Sequence, residues 1–377
     1  VKEFETLKNL HNCVVLFYKH SDWSLKLSEE IKFRNPEVQF IEIDRHKNLM
    51  QTLLAKLLHK IAISLNKIFA NSFKICSYAS DDKMIQLWWY AKSLSRKHIF
   101  DRIIAHNLGA FYASVRLFET KHIEIQLDIE DFFPGIALYF NKALEKQNRM
   151  AIMKRGFLRA RFITYASNGI YLECKKHFKT PIETKHQTLI NSFSETDFVK
   201  PFDRTCNKLK CVWFSQKVSL DRGLSQVFEA AEKLNHIEFH LIGFKSPDFA
   251  ESVTLSENVI FHDIMAQSEL HSFLSTMDVG LALEPGKDFN NTIALSNKVI
   301  AYAQAGLYIL ATNTFGQSQF LNSLDYKAGS IIKTSLLMEL KHINEALLDL
   351  PAKTMRWEKA KAFSWNNEQI KLKALLE

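Results

Sequence analysis

Three consecutive residues, Ser296-Asn297-Lys298, stand where a polar loop gives way to an apolar run at helical spacing that ends at Gly306. Serine in that place caps a helix, and glycine closes one. The first turn of such a helix leaves backbone N–H groups unpaired at the positive end of its dipole, and Lys298 adds a full charge. The chemistry on offer is phosphate binding. The flanking residues fit it. Val279 to Leu283 has the pattern of a buried strand, Glu284-Pro285-Gly286 breaks it, Lys287 to Asn291 is polar, and Leu307 to Ala311 is the next apolar strand. Strand, polar loop, helix and strand make one βαβ unit, with its polar residues at the strand end and helix start. Arg222-Gly223, just ahead of the helical run to Leu234, is a second place of this kind. The plain alternatives are an ordinary capped helix and a surface arginine capping a turn.

The first half of the chain offers acid–base groups. Asp128-Ile129-Glu130-Asp131 closes the apolar run Ile123 to Leu127, and His106 ends the neighbouring run Arg102 to Ala105. Alternation along a strand points Asp128 and Glu130 to one side and Asp131 to the other. Glu130, Asp131 or His106 could take a proton or orient a hydroxyl there. Asp128 is read as a cap on the following turn, and a lone histidine at a strand end is more often structural. The Asp-x-Glu spacing also admits a metal ion.

At 377 residues the chain is long enough for two domains. No window approaches eighteen uncharged apolar residues, and the first apolar run, Val14 to Tyr18, is too short for a signal peptide. Cys13, Cys76, Cys174, Cys206 and Cys211 are scattered without a CxxC or a partnering histidine cluster, as expected of buried thiols in a reducing cytoplasm. The net charge of +8 is concentrated in Lys142 to Arg161 and in Lys92 to Arg102, the latter behind Trp88-Trp89-Tyr90. Basic residues beside aromatic ones suit the headgroup layer of an anionic membrane, and equally a solvated helix face beside core aromatics. No signature of nucleic-acid binding accompanies them.

Several elements must position these residues. A helix (2–10), a strand (Val14 to Tyr18) and edge structure at Ile31 to Asn35 and Phe40 to Asp44 come first. A long amphipathic helix follows from Leu49 to Ala70, then a short strand (Phe73 to Ser77) and a helix (Asp81 to Ser95). Repeated βα alternation from Arg102 to the helix after Gly169 calls for a parallel sheet covered on both faces. Asn191 to Asn207 lacks periodicity and reads as a linker. A second alternation starts at the strand Lys210 to Ser215, and late helices run from Leu336 to Leu348 and Trp357 to Leu376. Two doubly wound α/β halves place ligands at the facing ends of their strands, in the cleft between them.

WFSQKVSLDRGL (Trp213 to Leu224), GLALE (Gly280 to Glu284), LSNKVIAYAQAG (Leu295 to Gly306) and the run Gln317 to Leu321 closely resemble the C-terminal half of GT-B glycosyltransferases of family four, which are retaining nucleotide-sugar enzymes. AHNLGAFYAS (Ala105 to Ser114) and LDIEDFFPG (Leu127 to Gly135) resemble the N-terminal half of a bacterial branch associated with surface polysaccharides. FSWNNE (Phe363 to Glu368) resembles the family's last helix, which crosses back onto the first domain. The resemblance implies a Rossmann-like acceptor domain over 1–200, a Rossmann-like donor domain over 207–355 and a terminal helix over 356–377. It also implies that a strand and a glycine-containing loop are missing ahead of the first helix, as in an N-terminally clipped fragment.

The resemblance further implies hexosyl transfer from a UDP- or GDP-linked sugar to a lipid-linked or polysaccharide acceptor, in the cytoplasm or at the inner membrane face. No further cofactor and no metal are expected. Gln216, Arg222 and Gly223 match the family's diphosphate-contacting stretch, with uncharged Gln216 departing from its arginine and Lys217 as a stand-in. Ser296, Asn297 and Lys298 would hold the diphosphate. Ala301 replaces one of the family's paired glutamates, and Glu284 remains to meet a sugar or ribose hydroxyl. Glu130 takes the place of the family's first-domain histidine. Two rivals stay open: a degenerate or truncated nucleotide-sugar-binding protein without turnover, and a sugar-nucleotide epimerase, which the WFSQ and SNK motifs disfavour.

Overall fold

The computed structural model describes residues 2–19, 22–138, 141–202, 208–245, 249 and 256–376. Cys206 and the 203–207 part of the expected linker lie outside the described residues. The chain divides into two compact units. The first comprises Val1–Tyr165, Leu172–Thr188 and Lys371–Glu377, and the second Ala166–Tyr171 and Leu189–Ile370.

In the first unit β1 (Val14–Tyr18) and β2 (Gln39–Ile43) form a parallel pair. A second parallel sheet follows chain order: β3 (Arg102–His106), β4 (Glu124–Ile129), β5 (Phe162–Tyr165) and β6 (Lys185–Thr188). All four residues of β5 are buried, as expected of a strand covered on both faces. The register sets His106 beside Asp128 at the carboxyl ends of β3 and β4.

The second unit is one six-stranded parallel sheet built from β7 (Leu209–Val218), β8 (Ile237–Lys245), β9 (Val259–His262), β10 (Val279–Ala282), β11 (Tyr308–Ala311) and β12 (Gly329–Ile331). Their order in space is β12-β11-β10-β7-β8-β9. Counted from β7, that is the 3-2-1-4-5-6 order of a dinucleotide-binding sheet, and its direction of winding reverses between β7 and β10. The helix Asn297–Gln304 packs on the sheet with every residue from Lys298 to Gln304 buried. Gly280 makes that approach feasible, since a Cβ there would lie 2.3 Å from the Tyr302 ring. A buried ion pair ties the helix Leu350–Ala360 to the start of β10. Lys353 Nζ donates to the Met277 carbonyl at 2.6 Å and to Asp278 at 3.4 Å, and Asp278 also accepts the Lys210 N–H.

Some sequence expectations fail locally. Ile31 to Asn35 is not edge structure; residues up to Arg34 belong to the helix Asp22–Arg34, supported by Glu29–Lys32 and Glu30–Arg34 pairs at helical spacing. Phe73 to Ser77 is helical within Phe73–Ser80, because Ser72 caps the turn and Ser77 bonds back to the Phe73 carbonyl. The late run Trp357 to Leu376 is two helices, Leu350–Ala360 and Trp365–Leu376. β6 was not foreseen, since its sequence Lys-His-Gln-Thr carries no apolar signal.

Lys353→Met removes the buried Lys353 ammonium from the Asp278 carboxylate and should destabilise the chain by about 3 kcal/mol. The expected outcome in urea unfolding is a lower midpoint, largely restored by adding Asp278→Asn; an unchanged midpoint would contradict the role given to the pair.

Candidate functional site

The strand-order reversal in the second unit brings together the carboxyl ends of β7 and β10. β7 runs on past Ser215, where the sequence had it stopping, and its pairing with β8 is irregular between Phe214 and Lys217. Gly243 on β8 permits this, for a Cβ there would come within 2.2 Å of the Ser215 carbonyl oxygen. Gln216 therefore sits inside the irregular end of the strand, exposed, and not in a loop after it. A turn of 3-10 helix, Leu220–Arg222, follows and ends at Gly223 with φ +81°. A Cβ on Gly223 would meet the Leu283 carbonyl oxygen at 2.3 Å, so this glycine lets the Arg222 turn close onto the end of β10, next to Glu284.

Glu284, mostly buried, is the hub of the site. Its Oε1 accepts from Lys298 Nζ at 2.5 Å and from Ser296 Oγ at 3.1 Å. Ser296 also caps the helix, its hydroxyl accepting the Lys298 N–H at 3.3 Å. Burial works against the Glu284 charge. The Lys298 ammonium, the two hydrogen bonds and the Arg222 charge outweigh it, and hold the carboxyl below the usual range. Lys298 is itself buried, with its ammonium 5.6 Å from the Trp213 ring centre. Its charge is therefore already committed to Glu284, which alters the part expected of it at a phosphate. Arg222 differs. It is half-buried, and among the described residues no hydrogen bond or ion pair holds its guanidinium. Asn297 is exposed and opens the helix, where the first N–H groups have no intrahelical partner. Ala301 is fully buried among apolar residues.

The first unit forms a separate cluster. His106 Nδ1 lies 2.9 Å from Asp128 Oδ2 and 3.9 Å from Glu130, and Nε2 lies 3.3 Å from Glu3. Asp128 also accepts from Thr164 Oγ1 at 2.7 Å. Asp128 is thus the residue that orients the imidazole, and not simply a turn cap. Burial opposes a charge on His106, but the Asp128 hydrogen bond and the Glu3, Asp128 and Glu130 charges raise it to about 9. Burial, then the Asp128 charge, lifts Glu3 to about 7. Glu130 is more than half exposed, and its carboxyl too lies above the usual range, through partial desolvation and then Asp128. Asp131 is half-buried just beyond it.

Glu3, His106 and Asp128 place their donor atoms within 4.8 Å of one another, the described residues best placed to hold a metal ion. A metal requires the neutral imidazole, whereas these neighbours favour the protonated one. Glu3 escaped the sequence reading because an acidic residue in the first turn of a helix is ordinary dipole matching. Its contact with His106 spans a separation that only the fold closes.

Solved structures share this architecture. HepE of Anabaena, solved with UDP, matches over 97% of this chain and 99% of its own, with a TM-score of 0.64 at 11% identity. Sucrose-phosphate synthase of Thermosynechococcus elongatus matches over 78% of each chain, with a TM-score of 0.61 at 11% identity. TarM of S. aureus matches over 78% of this chain and 59% of its own, at 0.52 and 16%. The fold is GT-B. At such identities the likeness speaks for the GT-B fold alone. No protein-family model matches the sequence, and no curated protein does.

Two outcomes are expected. Gly223→Ala forces a side chain into the Leu283 carbonyl at a left-handed φ and should cost a few kcal/mol, roughly 1–3 from the backbone alone, read as a lower unfolding midpoint. In an NMR titration His106 should turn over near pH 9, against an ordinary 6.5. Its folded value is the raised one, so its stabilisation is complete below about pH 6.5 and lost as pH rises through about 9. Asp128→Asn should bring the midpoint down towards the ordinary value; a midpoint near 6.5 in the unsubstituted chain would refute the clamp.

Proposed function

We propose that this chain is a glycosyltransferase taking its sugar from a UDP- or GDP-linked donor. The observation that carries the reading is Arg222: a half-buried guanidinium held by no hydrogen bond or ion pair among the described residues, at the strand-order reversal of a dinucleotide-type sheet. A cation so placed suits a diphosphate. HepE, of the same fold, has been solved with UDP and glucose and with UDP-glucose, which favours UDP as the donor base.

Transfer places negative charge on the departing diphosphate and positive charge on the anomeric carbon. Arg222 and the Asn297 N–H at the start of the helix Asn297–Gln304 would stabilise the leaving group, with Gln216 adding a hydrogen bond. Ser296 and Lys298 act at one remove, by fixing Glu284. Glu284 spends Oε1 on both of them, which leaves Oε2 to accept from a ribose or sugar hydroxyl. Departure of the diphosphate is proposed to proceed without a metal, on the Arg222 charge and the helix start, and no other cofactor is assigned. In the first unit, His106, Glu130 and Asp131 would handle the acceptor hydroxyl, Glu130 being the exposed carboxylate of the group. Retention of anomeric configuration, kinship with family four, a cytoplasmic setting and a lipid-linked or polysaccharide acceptor complete the proposal. The domain division is proposed as 1–200, 207–355 and 356–377.

A second reading, a nucleotide-sugar-binding protein without turnover, is favoured by the uncharged Gln216 and by the commitment of Lys298 to Glu284. Thermal unfolding with UDP, GDP and their common sugars tests both. One nucleotide at a hundred times its Kd should stabilise the chain by about 2.7 kcal/mol, and Arg222→Ala should remove roughly 1.5–3 kcal/mol of that binding. Silence towards all of them would refute the donor site. Stabilisation with no hydrolysis or transfer would favour the binding protein.

A further inference from the structure

The helix Leu49–Asn66 of the first unit is turned inside out relative to a core helix. Its buried positions are Thr52, Ala55, Ala62 and Asn66, all small or polar. Hydrogen bonds hold that face: Thr52 donates to the Arg45 carbonyl and accepts from Gln86 at 2.9 Å, and Asn66 donates to Asn148 at 2.8 Å. The large aliphatic side chains point the other way. Met50, Leu53, Leu57, Ile61, Leu65 and, just past the helix, Ile68 recur every three or four residues and are all exposed, Met50 by 81% and Ile68 by 76%. An amphipathic helix ordinarily buries such a stripe. Here it forms a ridge roughly 27 Å long on the surface, far beyond the scattered apolar residues a soluble surface carries.

The charges along the stripe itself are of one sign. From Arg45 to Ser80 the chain has six Lys or Arg residues and no Asp or Glu; Arg45 is paired with Asp82, and Lys56, Lys60 and Lys67 lie exposed among the aliphatics. Past the helix, residues 71–74 reach an open pocket of about 1080 Å³ in the same unit. Lys74, Lys92, Arg116, Lys154 and Arg155 line it beside Trp88 and Tyr112. Its one acidic residue, Glu119, is held by Arg116 and Arg155. The pocket therefore joins the two basic clusters that lie far apart in the sequence, around Lys92 and around Lys154.

We propose that this face of the first unit seats on an anionic lipid bilayer. The aliphatic ridge lies in the plane of the interface, its lysines meet the headgroup phosphates, and the basic pocket that residues 71–74 help to line offers a further place for a headgroup. A second copy of the chain is the poorer occupant, because it would set this uniformly positive stretch against another. The helix does not cross the bilayer: among the described residues no helix is long and apolar enough to do so. The inference is independent of the donor site.

Flotation of the full chain with vesicles tests it. The chain should rise with vesicles of mixed phosphatidylglycerol and phosphatidylcholine at low salt, and stay down with phosphatidylcholine alone. Leu53→Glu/Leu57→Glu/Ile61→Glu, at exposed positions, should abolish flotation while keeping the circular dichroism of the parent. Lys56→Gln/Lys60→Gln should weaken partitioning by about 25-fold, about fivefold per lysine. Failure of the parent chain to float, or flotation of the triple variant, overturns the proposal. So does a dimer in sedimentation that the triple variant dissolves, which would assign the ridge to a second copy.

Discussion

Every strand pairing among the described residues is parallel, and most of the molecule follows from that. Parallel neighbours cannot be joined by a tight turn, so each connection crosses over, mostly through a helix. All strands of a sheet then end on one edge and all the following helices begin there. Carboxylates that end strands and N–H groups that start helices are concentrated on that edge without any specific attraction between them. His106 beside Asp128 in the first unit, and Glu284 beside Ser296 and Lys298 in the second, are two instances of the same geometric fact.

Within the second unit, electrostatics divide labour between two cations of equal formal charge. Lys298 is buried, and its ammonium neutralises Glu284. Desolvating both groups is costly, and their mutual bonds offset that cost while locking the start of the helix to the end of β10. Arg222 lies close enough for its charge to act on Glu284, but no hydrogen bond or ion pair among the described residues fixes its guanidinium.

Much of this was legible in the sequence. The run from Val279 to Ala311 showed its two strands and main helix by their apolar periods, and the Ser296 cap and Gly306 stop fall where the structure has them; the polar stretch read as a loop instead carries a short helix, Phe289–Ile293, started by an Asp288 cap. What stayed hidden has identifiable causes. β6 is a polar edge strand, so no hydrophobic pattern marks it. Gln216 belongs to a strand irregularity that depends on Gly243, a residue on another strand. Glu3 meets His106 through tertiary packing alone. For Leu49–Asn66 the amphipathic period was plain, but periodicity reports that a helix has two faces and not which one is covered.

The close seating of Tyr302 over Gly280 has a consequence for how this sequence can drift. Any side chain at 280 collides with the ring, and any loss of the ring opens a hole over the strand that glycine cannot fill. Neither position can change alone without loss. The two residues are therefore expected to travel together through descent, glycine with an aromatic ring and a larger strand residue with a smaller partner, as a pair of inherited characters and not as two independent ones.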